Sequence, residues 1–221
     1  MPSPLHIFDL DHTFINENIS YRFGQFLYKK KIITLFQTVI VLSYYSLFIL
    51  GFLSIDKMHR YIFSLIFKNK SSLQITHLVN DFLSKKIDSY VNPVALDLLQ
   101  KAQKDKCLTA LFSSSPDFLV QPIAYFFKFD ECLATKYAVD KEGVFCDISL
   151  IVEGEVKAAH HAVLCEKYKL NSKENFVYTD SENDLPLMFS AGNCYVFHPN
   201  KKLLKYCIAN DWTAIYSKEY Q

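Results

Sequence analysis

Three apolar segments of strand length each end in a polar residue that can take part in chemistry. LHIF precedes Asp9, TALF precedes Ser113, and NFVYT precedes Asp180. Helix-like segments separate these runs, and strands that alternate with helices indicate a mostly parallel α/β sheet with helices on both faces. Ligands bind beyond the carboxyl ends of the strands in such sheets, so we expect the three side chains to meet in one crevice.

The first of these runs leads into two aspartates, Asp9 and Asp11, separated by one leucine. In an extended chain this spacing places both carboxylates on the same side. Two unit charges about 4 Å apart repel by roughly 4 kcal/mol at an effective dielectric of about 20. A divalent cation, or a proton on one carboxylate, would relieve this repulsion. The alternative is a pair at a solvated strand end or turn, where aspartate is common.

The pattern of apolar residues divides the chain into two parts. Residues 16–88 are predicted to be an all-helical insertion after the first strand, whereas residues 1–15 and 89–221 are predicted to form one Rossmann-like core domain. Within the core, DKEG at 140–143 predicts the turn of a small β-hairpin. A strand is expected at 107–112, and helices are expected at 93–104, from Ser115 and Pro116 to 127, and from Gly154 to 170.

The uncharged segment from Ile32 to Ile55 is long enough to cross a membrane. Polar residues interrupt it, Gly51 is typical of a helix end, and Ser54 is typical of a helix start. A single span would also separate Asp9 from every later candidate residue. The segment is therefore predicted to be a buried helix of the insertion, with a membrane-facing surface as the alternative.

Charge and cysteine content restrict the partners and the compartment. The 24 basic and 23 acidic residues nearly balance and form no long run of one sign, which does not favour nucleic acid as a partner. The six cysteines lack the spacing of zinc or redox sites and are predicted to be buried free thiols. The N-terminal MPSPLHIFDLDH lacks the features of a secretory signal, so the sequence predicts a cytoplasmic protein.

The expected crevice is rich in carboxylates. Asp184 follows Asp180 by four residues, and Asn183 is expected to cap the helix that begins there. Asp180 and Asp184, together with Asp9 and Asp11, bring up to four negative charges into the crevice, and these charges require cations. Oxygen ligands without histidine or cysteine suit a hard ion such as Mg²⁺. Lys157, in the first turn of a predicted helix, is the best placed lysine to supply further positive charge.

The order of these motifs resembles the haloacid dehalogenase-like hydrolases, in particular the phosphoserine-phosphatase-like branch with a helical cap inserted after the first motif. FDLDHT is similar to the family's first motif, Asp-x-Asp-x-Thr, and Ser113 in LFSSSPD is similar to the second. Lys157 in GEVK matches the third, and TDSENDLP matches the fourth. The resemblance covers nearly all of residues 5–215 and is weakest in the cap. The chain departs from the family at Thr179, where many members have glycine, and in its serine-rich second motif.

The resemblance implies a Mg²⁺-dependent phosphatase that hydrolyses a small phosphate monoester through an aspartyl-phosphate. Asp9 would be the nucleophile, and Asp11 would be the general acid and then the general base. Mg²⁺ would be held by the Asp9 carboxylate, the Asp11 backbone carbonyl and Asp180. The phosphoryl oxygens would be bound by Ser113, Ser114 and Lys157. Supporting contacts to these groups would come from Asp184, Asn183 and Thr13.

The cap would select the substrate, and the resemblance places candidate contacts directly after the first motif. These candidates are Glu17, Asn18 and Arg22. Aromatic residues of the cap would suit an amphipathic ester, although such side chains more often form cap core. They are Tyr44, Tyr45 and Phe48. Phosphoserine, histidinol phosphate, a sugar phosphate and a lipid phosphate all fit the core residues equally well.

Two alternatives share the same residues. A phosphotransferase of this fold would pass the phosphoryl group to an acceptor other than water, and a catalytically silent protein would act as a membrane-associated binding module. Two further classes fit less well. A glycosyltransferase interpretation of Asp-x-Asp leaves Ser113 and Lys157 unexplained, and a phospho-acceptor receiver domain has no insertion after its first strand.

Overall fold

A seven-stranded sheet forms the centre of the protein in the computed structural model, which describes residues 3–216. The strands are β1 (Leu5–Asp9), β2 (Leu108–Pro116), β3 (Glu131–Val139), β4 (Phe145–Leu150), β5 (Phe176–Thr179), β6 (Asn193–Phe197) and β7 (Thr213–Ile215). Their order is β4-β3-β2-β1-β5-β6-β7. All neighbours are parallel except β3 and β4, which form an antiparallel hairpin. Residues 1–2 and 217–221 of the predicted core lie outside the described residues.

Nine α-helices within residues 3–216 accompany the sheet. They are α1 (Ile19–Lys29), α2 (Leu35–Ile49), α3 (Ile55–Ile62), α4 (Ser72–Tyr90), α5 (Pro93–Lys104), α6 (Asp117–Phe126), α7 (Gly154–Tyr168), α8 (Leu185–Ser190) and α9 (Lys201–Ala209). A π-helical turn at Phe63–Phe67 follows α3 directly.

Side chains of the central strands alternate between two hydrophobic cores, one on each face of the sheet. Leu5 and Ile7 of β1 belong to the core shared with α7, α8 and α9. Phe8 belongs to the core shared with α1, α4, α5 and α6. Strands buried on both faces are typical of parallel sheets covered by helices. The predicted α/β fold with helices on both faces and a β-hairpin is confirmed.

The predicted element bounds agree best where a local cap determines them. The side chain of Asn92 accepts a hydrogen bond from the backbone N–H of Val94, and α5 begins at Pro93, as predicted. The predicted start of α6 at Ser115 was wrong, because β2 continues to Pro116. Pairing between Pro116 and Thr135 of β3 extends the strand there.

The hairpin turn lies where DKEG predicts it. Gly143 has a φ of 80°, a left-handed conformation that glycine adopts without a Cβ penalty. Asp140 Oδ1 accepts a hydrogen bond from the backbone N–H of Val144 at 3.0 Å, which stabilises the turn. The Gly143 carbonyl also accepts bonds from the backbone and hydroxyl of Ser72, so the hairpin contacts the start of α4.

The segment between β1 and α5 is helical throughout its regular structure. The N–H of Asn16 donates to the carbonyl of Tyr90 at 2.8 Å, so the two ends of the segment lie side by side. Phe23 of α1 and Val79 of α4 share one hydrophobic core with Phe8 of the sheet. The division of the chain into a core domain and a cap domain stays a prediction.

The expectation that the uncharged segment forms a buried helix was wrong. Helix α2 contains no buried residue, and Phe36 and Ile49 are 73% and 64% exposed. Apolar residues surround the whole helix, so the side turned away from its neighbours α1 and α3 presents hydrocarbon to solvent. Among the helices of residues 3–216, none combines the length and the apolar character needed to span a membrane.

All six cysteines are free thiols, as predicted. The prediction that they are buried holds for Cys194 and Cys207, whereas Cys146 is exposed. Cys146 lies on β4, an edge strand of the sheet that pairs with the single strand β3. The cytoplasmic location stays a prediction.

Candidate active site

Asp9 and Lys157 lie together in a cavity of about 430 Å³. Asp9 is the last residue of the central strand β1, and its Oδ1 lies 2.6 Å from Nζ of Lys157. Lys157 belongs to the first turn of α7 and also contacts both carboxylate oxygens of Asp184, at 2.7 and 2.9 Å. Asp180, directly after β5, lines the same cavity. The carboxyl ends of β1 and β5 therefore bring together residues that are far apart in sequence.

A close backbone approach holds the start of α7 against the segment that carries Asp184. A Cβ added to Gly154, the first residue of α7, would lie 1.8 Å from the carbonyl oxygen of Asn183. Only glycine fits this position without a shift of the backbone. The contact brings the first turn of α7, and with it Lys157, next to Asp184.

Thr179, the last residue of β5, supports Asp184 through its hydroxyl group. Its Oγ1 donates to Asp184 Oδ2 at 2.7 Å and accepts the N–H of Ser181 at 3.1 Å. Thr179 is completely buried. From the sequence Thr179 was noted only as a departure from the family pattern. The available signal was a hydroxyl residue at the end of an apolar strand, directly before Asp180.

The carboxylate of Asp11 has different partners from that of Asp9. Its Oδ1 accepts the N–H of Ile19 at 2.6 Å, and its Oδ2 accepts the hydroxyl of Ser115 at 2.9 Å. Ser115 was not among the predicted site residues, because a helix start was expected there. Instead β2 continues through Ser115, and its N–H donates to the hydroxyl of Ser113 at 3.0 Å.

Thr13 and Asp180 form a further contact near the cavity. Oγ1 of Thr13 donates to Asp180 Oδ1 at 3.3 Å. Burial raises the pKa of Asp180 to about 6. Burial also raises the pKa of Asp9 well above its usual value, against the opposing effect of Lys157. A nearby divalent cation would favour the ionised form of both carboxyl groups.

The charges of the cavity are unbalanced. Within the described residues that line it, Lys157 is the single lysine or arginine and faces Asp9, Asp11, Asp180 and Asp184. Burial lowers the pKa of Lys157, but the carboxylates of Asp184 and Asp9 raise it above the usual value, so this residue is charged. The surplus of carboxylates favours bound cations or protons.

The oxygen donors at this position fit Mg²⁺. The carboxylates of Asp9 and Asp180 and the backbone carbonyl of Asp11 are hard ligands, and Mg²⁺ usually completes its shell with water and substrate oxygens. Within residues 3–216 no three His, Cys, Asp or Glu side chains gather in a metal-binding arrangement. The expected Mg²⁺ ligands include only two carboxylates, those of Asp9 and Asp180. Asp11 would contribute its backbone carbonyl, since its carboxylate is hydrogen-bonded to Ile19 and Ser115.

The other residues predicted to bind phosphate or to support the site do not all line the cavity. Ser114 and Asn183 line the cavity. Ser113 is 1% exposed, and its hydroxyl accepts the N–H of Ser115 at 3.0 Å. The expectation that Asn183 acts as a helix cap was wrong, because α8 has Asp184 as its N-cap residue, and the N–H of Asn183 donates to the hydroxyl of Ser181.

Of the predicted substrate contacts after the first motif, one lies at the cavity. Asn18 lines it, while its Oδ1 caps α1 by accepting the N–H of Tyr21 at 2.8 Å. Glu17 and Arg22 form an ion pair with each other, and neither lines the cavity. Tyr44 stacks on Tyr61, so it belongs to the packing of α2 against α3.

Residues 7–188 match the family described as haloacid dehalogenase-like hydrolase, and the chain belongs to this family. Among curated proteins it is 23% identical to the histidinol-phosphatase of Neisseria meningitidis serogroup C (strain 8013), over 96% of this chain and 97% of that protein. The family match and such phosphatase relatives confirm the prediction of a phosphatase-type enzyme.

Solved structures share the fold over nearly the whole chain. A protein of unknown function from Bordetella pertussis Tohama I has a TM-score of 0.86 at 20% identity, covering 97% of this chain and 99% of that one. A phosphoserine phosphatase solved as a phospho-aspartyl intermediate analogue has a TM-score of 0.68 at 16% identity, covering 97% and 94%. The predicted resemblance to the phosphoserine-phosphatase-like branch is confirmed.

Proposed function

We propose that the protein is a Mg²⁺-dependent phosphatase that hydrolyses a small phosphate monoester through an aspartyl-phosphate on Asp9. One observation carries the proposal: the Asp9 carboxylate lies at the end of the central strand, in a cavity, 2.6 Å from the ammonium of Lys157. The histidinol-phosphatase and the phosphoserine phosphatase to which the chain is similar support this reaction class.

The reaction has two steps, each of which uses a carboxyl group of the first motif. In the first, an Asp9 oxygen forms a bond to phosphorus while the bond from phosphorus to the alcohol oxygen breaks. The leaving oxygen takes a proton from Asp11. In the second, water attacks phosphorus, gives a proton to Asp11 and displaces Asp9, which releases inorganic phosphate. Burial raises the pKa of Asp11, which favours the protonated form that the first step requires.

The remaining groups bind and orient the phosphate. The ammonium of Lys157, together with Ser114 and Ser113, binds phosphoryl oxygens, where negative charge develops in the transition state. Asp184 holds Lys157 in place, and Thr13 orients Asp180. A Mg²⁺ ion held by the two carboxylates and the carbonyl described above would neutralise phosphoryl oxygens and lower the repulsion between nucleophile and substrate.

Hydrolysis of p-nitrophenyl phosphate with Mg²⁺ and with EDTA tests the proposal. We expect turnover with Mg²⁺, little with EDTA, and release of one inorganic phosphate for each nitrophenol, which separates hydrolysis from transfer to another acceptor. Asp9→Asn should abolish turnover while the protein stays folded, whereas Asp147→Asn, at a side chain 71% exposed, should keep turnover close to wild type. Substantial Mg²⁺-dependent activity in Asp9→Asn would exclude this residue as the nucleophile.

A further inference from the structure

A second cavity, of about 220 Å³, adjoins the phosphate cavity on the side of the helical segment. Asp11, Phe48 and Ser114 line both cavities, so the two adjoin each other at these residues. We call the second one the tail cavity. A group that occupied the tail cavity would be attached to a phosphate bound at the end of β1.

Hydrocarbon side chains form most of the tail cavity. Most come from α1, α2, α3 and the π-helical turn, and some, such as Leu119 of α6 and Tyr137 of β3, come from elements around the sheet. Examples from the helical segment are Phe23, Leu27, Val41, Met58 and Phe67. Most of the apolar wall therefore comes from the helical segment that is expected to select the substrate.

The tail cavity offers almost no partner for a charged group. Among its lining residues within positions 3–216, Asp11 alone carries a formal charge, and it lies at the boundary with the phosphate cavity. His59 also lines the tail cavity, but burial lowers the pKa of its ring to about 4, so it is neutral at pH 7. An ammonium or carboxylate placed here would lose its hydration without gaining a counter-charge.

We propose that the substrate is a phosphate monoester with a hydrocarbon tail, whose tail fills this cavity while its phosphate lies in the phosphate cavity beside Asp9 and Lys157. The inference deepens the proposed phosphatase function and rests on it. Each methylene that moves from water into an apolar cavity increases binding about fourfold. The cavity thus favours apolar tails over the charged groups of phosphoserine or histidinol phosphate.

A series of straight-chain alkyl phosphates, from ethyl to octyl, tests the inference. All are used as dissolved monomers, so that a gain with chain length arises in the cavity and not at a lipid surface. We expect kcat/KM to rise about fourfold with each added methylene until the cavity is full. A kcat/KM that stays constant from ethyl to octyl phosphate, or that is highest for phosphoserine or histidinol phosphate, would overturn the inference.

Gly24 allows the cavity to be filled without disturbing the backbone. It lies in α1 and lines the tail cavity, and a Cβ added there would have no atom within 4 Å. Gly24→Leu should not lower the melting temperature, because leucine is a better helix former than glycine, but should lose at least tenfold of the octyl-over-ethyl preference. Tyr28→Leu, at an exposed position of the same helix outside the cavity, is the control and should keep the preference. An unchanged preference in Gly24→Leu would contradict the inference.

The same chemistry occurs in dissolved esters and in single-chain lipid phosphates held in a bilayer. Octyl phosphate in solution is therefore compared with a lysophosphatidic acid in neutral phosphatidylcholine vesicles, each with wild type and Gly24→Leu. If Gly24→Leu reduces the hydrolysis of either substrate, the tail of that substrate binds in the tail cavity. If neither source shows such a reduction, the inference is wrong.

Failure of the inference differs from failure of the proposed function. If ethyl and p-nitrophenyl phosphate are hydrolysed with Mg²⁺ but longer tails bring no gain, the phosphatase function stands and the tail cavity does not bind substrate. If no phosphate ester is hydrolysed with Mg²⁺, the proposed function itself fails, and the inference fails with it.

Discussion

The ammonium of Lys157 is held between Asp9 and Asp184, at 2.6 Å from the first carboxylate and 2.7 Å from the second. Lys157 stands 148 positions from Asp9 and 27 positions from Asp184, and it is 4% exposed. A buried charge in contact with two carboxylates has little freedom to move. The predicted nucleophile and the group expected to bind phosphate are therefore positioned together by a single cation.

Replacement of Lys157 by methionine should impair both activity and stability. Loss of one positioned charge that stabilises a transition state typically lowers kcat by about 100-fold to 1000-fold. The buried Asp184 would lose its cation, and breaking a buried pair costs about 3–5 kcal/mol. Phosphatase kinetics and urea unfolding of the same preparation measure the two effects.

Lys167→Met on the same helix is the matched control. Lys167 pairs with Glu131 at the surface and is 54% exposed, and exposed pairs contribute little to stability because solvent screens the charges. Both kcat and the free energy of unfolding should stay close to wild type. Equal effects of the two replacements would show that Lys157 has no special function.

Asp11→Asn should slow alkyl esters more than p-nitrophenyl phosphate in the first step. An alkoxide needs a proton to leave, whereas nitrophenolate leaves without one, and loss of a general acid typically costs about 100-fold to 10000-fold. Asparagine retains an oxygen that can accept the N–H of Ile19, so the start of α1 should be preserved. Single-turnover rates for both esters measure the difference. If the alkyl rate does not change, the general acid is another group.

Gly154→Ala should destabilise the site, because the new Cβ would lie 1.8 Å from the carbonyl oxygen of Asn183. Relief of such a clash requires a backbone shift, and overpacking typically costs about 1–3 kcal/mol. The shift would also move Lys157, so kcat should fall. Gly24→Ala is the control, because its Cβ would meet no atom within 4 Å, and the change should stabilise α1 by about 0.5–1 kcal/mol. Urea unfolding and kcat of the two variants decide the matter.

His6 should make stability depend on pH. Burial lowers the pKa of its ring from 6.5 to about 4, and its Nδ1 lies 2.9 Å from the hydroxyl of Tyr178. The unfolded chain therefore binds the proton first, so the free energy of unfolding decreases as the pH falls from about 6.5 towards 4. His6→Phe, which keeps a ring against Phe176, should weaken this decrease. Urea unfolding at pH 7.5, 6 and 5 measures it.

The same replacement at exposed His77 is the control for this experiment. His77→Phe should leave the slope of stability against pH as it is in wild type. A slope that His6→Phe does not reduce would show that folding does not lower the pKa of the His6 ring.

Sequence patterns predicted the parts of the site that depend on strand ends. Asp9 and Asp180 follow apolar runs, and the alternation of strands and helices places the ends of parallel strands at one edge. The partners of Asp11 and Asp184 were not predicted. Ser115 binds the Asp11 carboxylate because β2 continues beyond its apolar run. Thr179 binds the Asp184 carboxylate because β5 leads directly into a tight turn.

The amino-acid sequence by itself determined the α/β alternation, the helical character of the segment after the first strand and the carboxylates at the strand ends, because period and residue type are local properties. Tertiary structure alone decided that α2 is exposed, and it alone formed an apolar cavity beside the phosphate site. A helix that is apolar on every side has no sequence pattern to show which side is covered. Its exposure depends on where neighbouring helices end, and only the packed chain determines that.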